Sequence, residues 1–116
     1  MQYLISGYKL WQSYLPHIPK TARYTLAEKI DRAFIETIEL LFTASKSAKV
    51  EKLAALRQAS AKFELLKFLL QILWETQALD TTKYSRLSES LNEIGKMLGG
   101  WLKQTLSQLP TTEHNR

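Results

Sequence analysis

The strongest constraint in this chain is a spacing near its C-terminal end: Tyr84, Leu87, Leu91, Ile94, Leu98 and Trp101 recur at intervals of 3, 4, 3, 4 and 3 residues. Positions three and four apart share one face of a helix, so this spacing lays an apolar seam along about five helical turns. A seam of that length must be covered by near-parallel neighbours. Two other segments offer matching faces and none alternates with period two. Leu4, Tyr8, Trp11 and Leu15 recur at 4, 3 and 4 residues; Leu26, Ile30, Ala33 and Thr37 do the same, with Phe34, Ile38 and Leu41 widening the stripe.

Pro16 to Pro19, Ser45-Lys46-Ser47, Leu79 to Thr82 and Pro110 punctuate the chain. Helices are therefore predicted over roughly 3–15, 21–45, 48–77 and 81–107, with Ser47 capping the third and Asp80 or Thr81 the fourth. Short breaks make successive helices antiparallel, which gives an all-α, up-down-up-down four-helix bundle. At 116 residues there is room for one hydrophobic core, so residues 1–110 read as a single domain and 111–116 as a flexible tail. With Cys 0, no disulfide or thiolate metal site can assist that core.

The third segment is more apolar than one bundle face requires. Glu64, Lys67, Gln71 and Glu75 fall within an arc of roughly 80° on a helical wheel, and Leu65, Leu66, Phe68, Leu69, Leu70, Ile72, Leu73 and Trp74 fill about 240° of the remainder. A bundle helix in a monomer needs a stripe a little over 100° wide. Two arrangements absorb the excess. Either the helix is central, packed by both neighbours and covered by the short first helix, or Leu65, Phe68, Leu69 and Ile72 meet a second subunit.

Charge is uneven. Lys and Arg number 16 against 11 Asp and Glu, a net +5, with an isoelectric point near 9.5, which favours an anionic partner. Residues 43 to 62 carry Lys46, Lys49, Lys52, Arg57 and Lys62 against Glu51 alone, four of the five net charges. Lys49, Lys52 and Lys67 lie within roughly 60° of one another on the wheel. A looser group is Lys20, Arg23, Lys29 and Arg32, the last two near Glu28, Asp31 and Glu36 and so within reach of intrahelical pairing. The basic segment reads either as a phosphate-contacting surface or as a solvated face that maintains solubility. No aromatic residue interleaves Lys46 to Lys62, so the segment offers no base-stacking platform.

The residues needed for catalysis are sparse. The histidines are His17, between two prolines, and His114 in the tail, and His17 reads as a loop residue rather than a base because a lone histidine lacks an orienting third group. Glu36 and Glu39 lie three apart, but a di-metal carboxylate site needs two Glu-x-x-His pairs and the chain has none. No Gly-rich phosphate loop is present. No enzyme, cofactor or metal is expected. Gly95, Gly99 and Gly100 within the fourth helix each cost about 0.5 to 1 kcal/mol relative to Ala, which points to close packing within or between subunits. The N-terminus has no cationic leader, and the richest apolar run, Leu65 to Trp74, is interrupted by Lys67 and Gln71, so a cytoplasmic protein without a membrane span is expected.

Pro19-Lys20-x-x-Arg23-x-x-Leu26, Lys46-x-x-Lys49, Phe63-Glu64-Leu65-Leu66-Lys67-Phe68-Leu69-Leu70 and Glu93-Ile94-Gly95-Lys96-Met97-Leu98-Gly99-Gly100-Trp101-Leu102-Lys103 resemble the Avd-like four-helix-bundle family. Its namesake is the accessory variability determinant of diversity-generating retroelements. The chain is similar, more distantly, to four-helix proteins encoded in intervening sequences of bacterial 23S rRNA genes. The resemblance implies a homopentameric barrel of bundles that binds a reverse transcriptase and RNA or DNA, supports error-prone cDNA synthesis and has no catalytic activity itself. It makes Arg23, Lys46, Lys49 and Lys67, with Lys52 beside them, the candidates for partner contact, and Gly95, Gly99, Gly100 and Trp101 structural. A second reading is a structural or protein-protein oligomer of the intervening-sequence type with no reverse transcriptase partner.

Overall fold

The computed structural model describes residues 1–109, and these are helical throughout apart from short connections. Helix α1 spans Gln2–Tyr14 and runs into a 3-10 turn at Leu15–His17; α2 is a single turn at Lys20–Arg23. The long helices follow: α3 (Leu26–Lys46), α4 (Lys49–Glu75) and α5 (Thr81–Ser107). The expected tail at 111–116, with His114, lies outside the described residues.

Side-chain pairings fix the up-down-up-down order. Gly7 of α1 lies against Ser90 and Ile94 of α5, while the Lys83 ammonium sits 5.8 Å from the Tyr14 ring centroid, so the two helices run in opposite directions. Lys62 of α4 pairs with Glu36 of α3 at 3.0 Å. Trp74 at the end of α4 stacks on Tyr84 at the start of α5, 4.6 Å between centroids and 3° from parallel. The helices form a ring in the order α1, α3, α4, α5, with α1 covering only the half of the bundle that contains the α4–α5 turn.

The α5 seam lines the core as its spacing dictates: Leu87, Leu91, Ile94 and Leu98 are buried, and Tyr84 and Trp101 pack half-buried at its two ends. Facing it are Leu4 and Trp11 from α1, Ile30, Phe34 and Leu41 from α3, and Leu56, Phe63, Leu66 and Leu70 from α4. Gly7 sits at a close approach of α1 to α3 and α5. A Cβ there would lie 3.1 Å from the Ile94 Cδ1 and Ser90 Oγ and 3.3 Å from the Phe34 ring, tighter than a packed interior accommodates without a shift.

Three local expectations change. The helix expected over 21–45 is interrupted: it starts as the single turn Lys20–Arg23, breaks at Tyr24 and Thr25 and resumes at Leu26. The Thr25 hydroxyl donates back to the Thr21 carbonyl at 3.1 Å, the local competition with helix propagation that Thr side chains offer. Ser47 is not the cap of the third helix. Its hydroxyl donates to the Thr43 carbonyl at 2.8 Å and closes α3, leaving Ala48 at the start of α4 with no side-chain cap. At α5, by contrast, the Asp80 carboxylate accepts from the Lys83 amide at 2.9 Å and from its ammonium at 2.8 Å. Those hydrogen bonds hold the Asp80 carboxyl below its ordinary value.

The excess apolar arc of the third segment is mostly used inside the protein, because α4 is flanked by both α3 and α5. Leu69 packs against the core and Ile72 is half-buried. Leu65 and Phe68 stay 44% and 58% exposed on the outer face of α4. The short first helix does not cover them, since α1 packs chiefly on α5. Among the described residues, no helix is long and apolar enough to cross a membrane.

Candidate nucleic-acid interface

The cations of the basic segment converge on one end of the bundle, where α3 stops and α4 begins. Lys46 ends α3, and Lys49 and Lys52 occupy the first turn of α4; Arg57 follows two turns on. Lys46, Lys49 and Arg57 are exposed. Among the described residues, none of these four has a carboxylate within ion-pairing distance, whereas Lys62, at the edge of the segment, is paired with Glu36. Lys52 is half-buried and lines a small cavity of about 110 Å³ with Ala44, Ser45, Trp101, Gln104 and Thr105. Trp101 thus shapes this end from α5.

Backbone geometry adds to the positive character. The first turn of α4 presents amide N–H groups that no side chain caps, and a helix N-terminus carries a partial positive charge. Lys49 itself has φ of 40°, in the left-handed region that costs a residue with a side chain about 1–2 kcal/mol. A cation is therefore held at a position that both backbone strain and the helix dipole disfavour. Lys46, in the last turn of α3, sits where the dipole favours it.

The other candidate contacts lie elsewhere. Lys67 is about 27 Å along α4 from Lys49 at 1.5 Å per residue; its ammonium pairs with Glu64 at 3.0 Å and stands 5.2 Å from the Phe63 centroid. Arg23 is at the opposite end of the molecule, about 30 Å away by the length of α3. Its guanidinium donates to the carbonyls of Ile18 at 2.9 Å and Pro16 at 3.3 Å, which ties the connection between α1 and α3. It shares a shallow pocket of about 430 Å³ with Glu28 and Asp31, two carboxylates that would repel a phosphate. The structure brings Lys46, Lys49 and Lys52 together and leaves Lys67 and Arg23 apart from them.

The intrahelical pairing expected on α3 forms in part. Arg32 reaches back to Glu28 at 3.7 Å, while Asp31 is drawn to α1, accepting from the Tyr8 hydroxyl at 2.9 Å and the Trp11 indole at 3.1 Å. Burial, together with that carboxylate, pushes the Tyr8 hydroxyl above its ordinary value. The spacing of Glu28, Asp31 and Arg32 does not reveal this cross-helix cluster, because its donors come from a distant segment. Glu36 and Glu39 do not share an interior site: the first is paired with Lys62 and the second lies exposed at a groove rim between α1 and α3.

Close packing within the chain does not require any of the three α5 glycines. A Cβ on Gly95 would meet the Phe63 ring at 3.4 Å, whereas nothing lies within 4 Å of one on Gly99 or Gly100. The last two therefore carry their helix cost without a contact inside the chain. Gly95 and Gly99 border a polar groove of about 550 Å³ between α4 and α5, lined also by Lys67 and Lys96 and by Glu64, Glu89 and Glu93. This groove has no cationic surplus, unlike the α3–α4 end.

A four-helix bundle with one cationic end matches a known family model, described as bAvd-like, over residues 7–105. The chain belongs to the bAvd-like family. No curated protein matches it. The matched span takes in all three long helices to within two residues of the end of α5, so the membership covers the bundle and the basic end together.

Proposed function

We propose that this bAvd-like protein is a non-catalytic, cytoplasmic accessory protein of a diversity-generating retroelement. In this reading it binds the reverse transcriptase and nucleic acid through its basic surface and supports mutagenic cDNA synthesis. The observation that carries the reading is the α3–α4 end, where Lys46, Lys49, Lys52 and Arg57 lack carboxylate partners among the described residues and surround an uncapped helix N-terminus. Lysine ammonium groups and free helix amides are the standard means of holding phosphate. A homopentameric barrel belongs to the same reading. It multiplies a monomer charge of +5 by five, and it gives the exposed Leu65, Phe68, Gly99 and Gly100 a surface to meet.

Titrating a structured RNA against ionic strength tests the nucleic-acid part. Affinity is expected to fall linearly on a log–log plot as phosphate contacts are screened. Changing Lys46, Lys49 and Lys52 together to Glu is expected to abolish low-salt binding with helicity unchanged. Absence of binding at low salt, or affinity indifferent to salt, overturns the reading. The exposed Leu65 and Phe68 favour a second reading, a protein-protein oligomer of the 23S rRNA intervening-sequence type without a reverse transcriptase; under it the triple variant keeps its function.

A further inference from the structure

Phe42 lies one helical turn before Lys46, outside the run from Lys46 to Lys62, and it is 57% exposed. The Lys46 ammonium stands 5.7 Å from its ring centroid. The ring borders a groove of about 680 Å³ between the N-terminal half of α1 and the C-terminal half of α3, whose apolar lining includes Leu4, Ile5 and Ile38 and whose polar lining is Glu39 and Thr43. An exposed aromatic face at the margin of a cation cluster is open to a ligand that offers both an apolar face and negative charge.

We infer that the Phe42 ring is a stacking platform for an unpaired base, so that the basic end takes single-stranded nucleic acid in preference to duplex. This rests on the nucleic-acid reading of that end and deepens it. The ligand chemistry follows from the neighbours. The apolar ring and groove fit a base face, which a duplex keeps stacked and inaccessible. Lys46 and Lys49 supply the charge for the phosphates attached to it, and Glu39 and Thr43 supply acceptor and hydroxyl groups for a base edge. Aromatic stacking tolerates any base, so the preference is for strandedness rather than for sequence. An acidic or apolar protein segment would use the groove without needing the ring to be aromatic.

The full-length protein is tested with two labelled probes, a short unstructured RNA and the duplex it forms with its complement, at one low salt concentration. The single strand is expected to bind more tightly. Phe42→Leu keeps apolar bulk at an exposed position and removes the π-face; it is expected to weaken single-strand binding roughly 5- to 150-fold, the range for loss of one stacked base. Duplex affinity should stay unchanged, and Phe42→Trp should restore single-strand binding. Equal affinity for the two probes, or an unaffected Phe42→Leu variant, overturns the stacking proposal and leaves polyanion binding standing. Binding of neither probe overturns both. If Phe42→Leu instead changes the sedimentation of the free protein, the face is a contact between copies of the chain and the proposal falls.

Discussion

The two ends of the bundle use similar polar residues in opposite ways. At the end that holds the α4–α5 turn, several polar side chains are tied to other parts of the chain, although the Tyr14 hydroxyl and the Arg23 Nε are buried without a partner. Arg23 donates to two carbonyls, Asp31 accepts from Tyr8 and Trp11, Asp80 caps α5, and Trp74 stacks on Tyr84 while its indole donates to Thr81 at 3.1 Å. At the α3–α4 end, Lys46, Lys49, Lys52 and Arg57 have no carboxylate partners among the described residues, and α4 begins without a side-chain cap. A satisfied hydrogen-bonding group contributes to folding, whereas an unsatisfied charge remains available to something outside the chain. The contrast supports the proposed division, with stability at one end and recognition at the other.

The largest expected effect that would separate these roles is Trp11→Ala. Trp11 is fully buried and gives Asp31 one of its two donors, so truncation should cost about 3–5 kcal/mol, read as a lower denaturant midpoint. RNA affinity measured where the variant is still folded should not change. Next is Arg23→Ala, which removes two hydrogen bonds from a charged donor that is only half-buried, at about 1–2 kcal/mol after allowing for solvent. Arg23→Lys should recover part of it, because both carbonyls accept from one terminal nitrogen, Nη2, and an ammonium likewise carries its several donors on one nitrogen. RNA affinity within about twofold of the parent is expected for both Arg23 variants, since neutralising one phosphate contact alone would already flatten the salt slope by about one unit. A larger loss of affinity would make Arg23 a contact residue and break the division between the ends.

The bundle was legible in sequence because its signals are repeated. The 3-4 spacing of α5 occurs five times over, and a wrong assignment at one position would not have altered the register. The α5 cap was legible for a local reason, as Asp80 lies three residues from the amide it accepts. The basic end was legible as a surplus of charge, since Lys46 to Arg57 are contiguous and folding keeps contiguous helix ends together. What could not be read was which cations remain unpaired. Lys62 and Glu36 are 26 residues apart and Trp11 and Asp31 are 20 apart, and nothing in local spacing signals either contact. Phe42 is not marked by the charged run, because it falls outside that run in sequence although it adjoins Lys46 on the helix surface.

The smallest effect is also the most discriminating. Lys49 combines a φ of 40° with a position in the first turn of α4, so glycine should suit the backbone better. Releasing the left-handed strain returns about 1–2 kcal/mol, of which glycine's larger unfolded-state entropy takes back about 0.5–1. Lys49→Gly should therefore stabilise the protein by about 1 kcal/mol or less while weakening RNA binding and flattening its salt dependence by about one unit. Lys49→Ala is the control, losing the same cation and the same unfavourable dipole interaction but keeping the strain, so it should lose the same affinity and be less stable than the glycine variant. If both variants keep full affinity, the cation at this end belongs to solubility; if glycine and alanine are equally stable, the left-handed backbone stores no strain. Loss of affinity in both, with glycine the more stable of the two, would mean that Lys49 is kept at the expense of the fold, which is the behaviour of a contact residue.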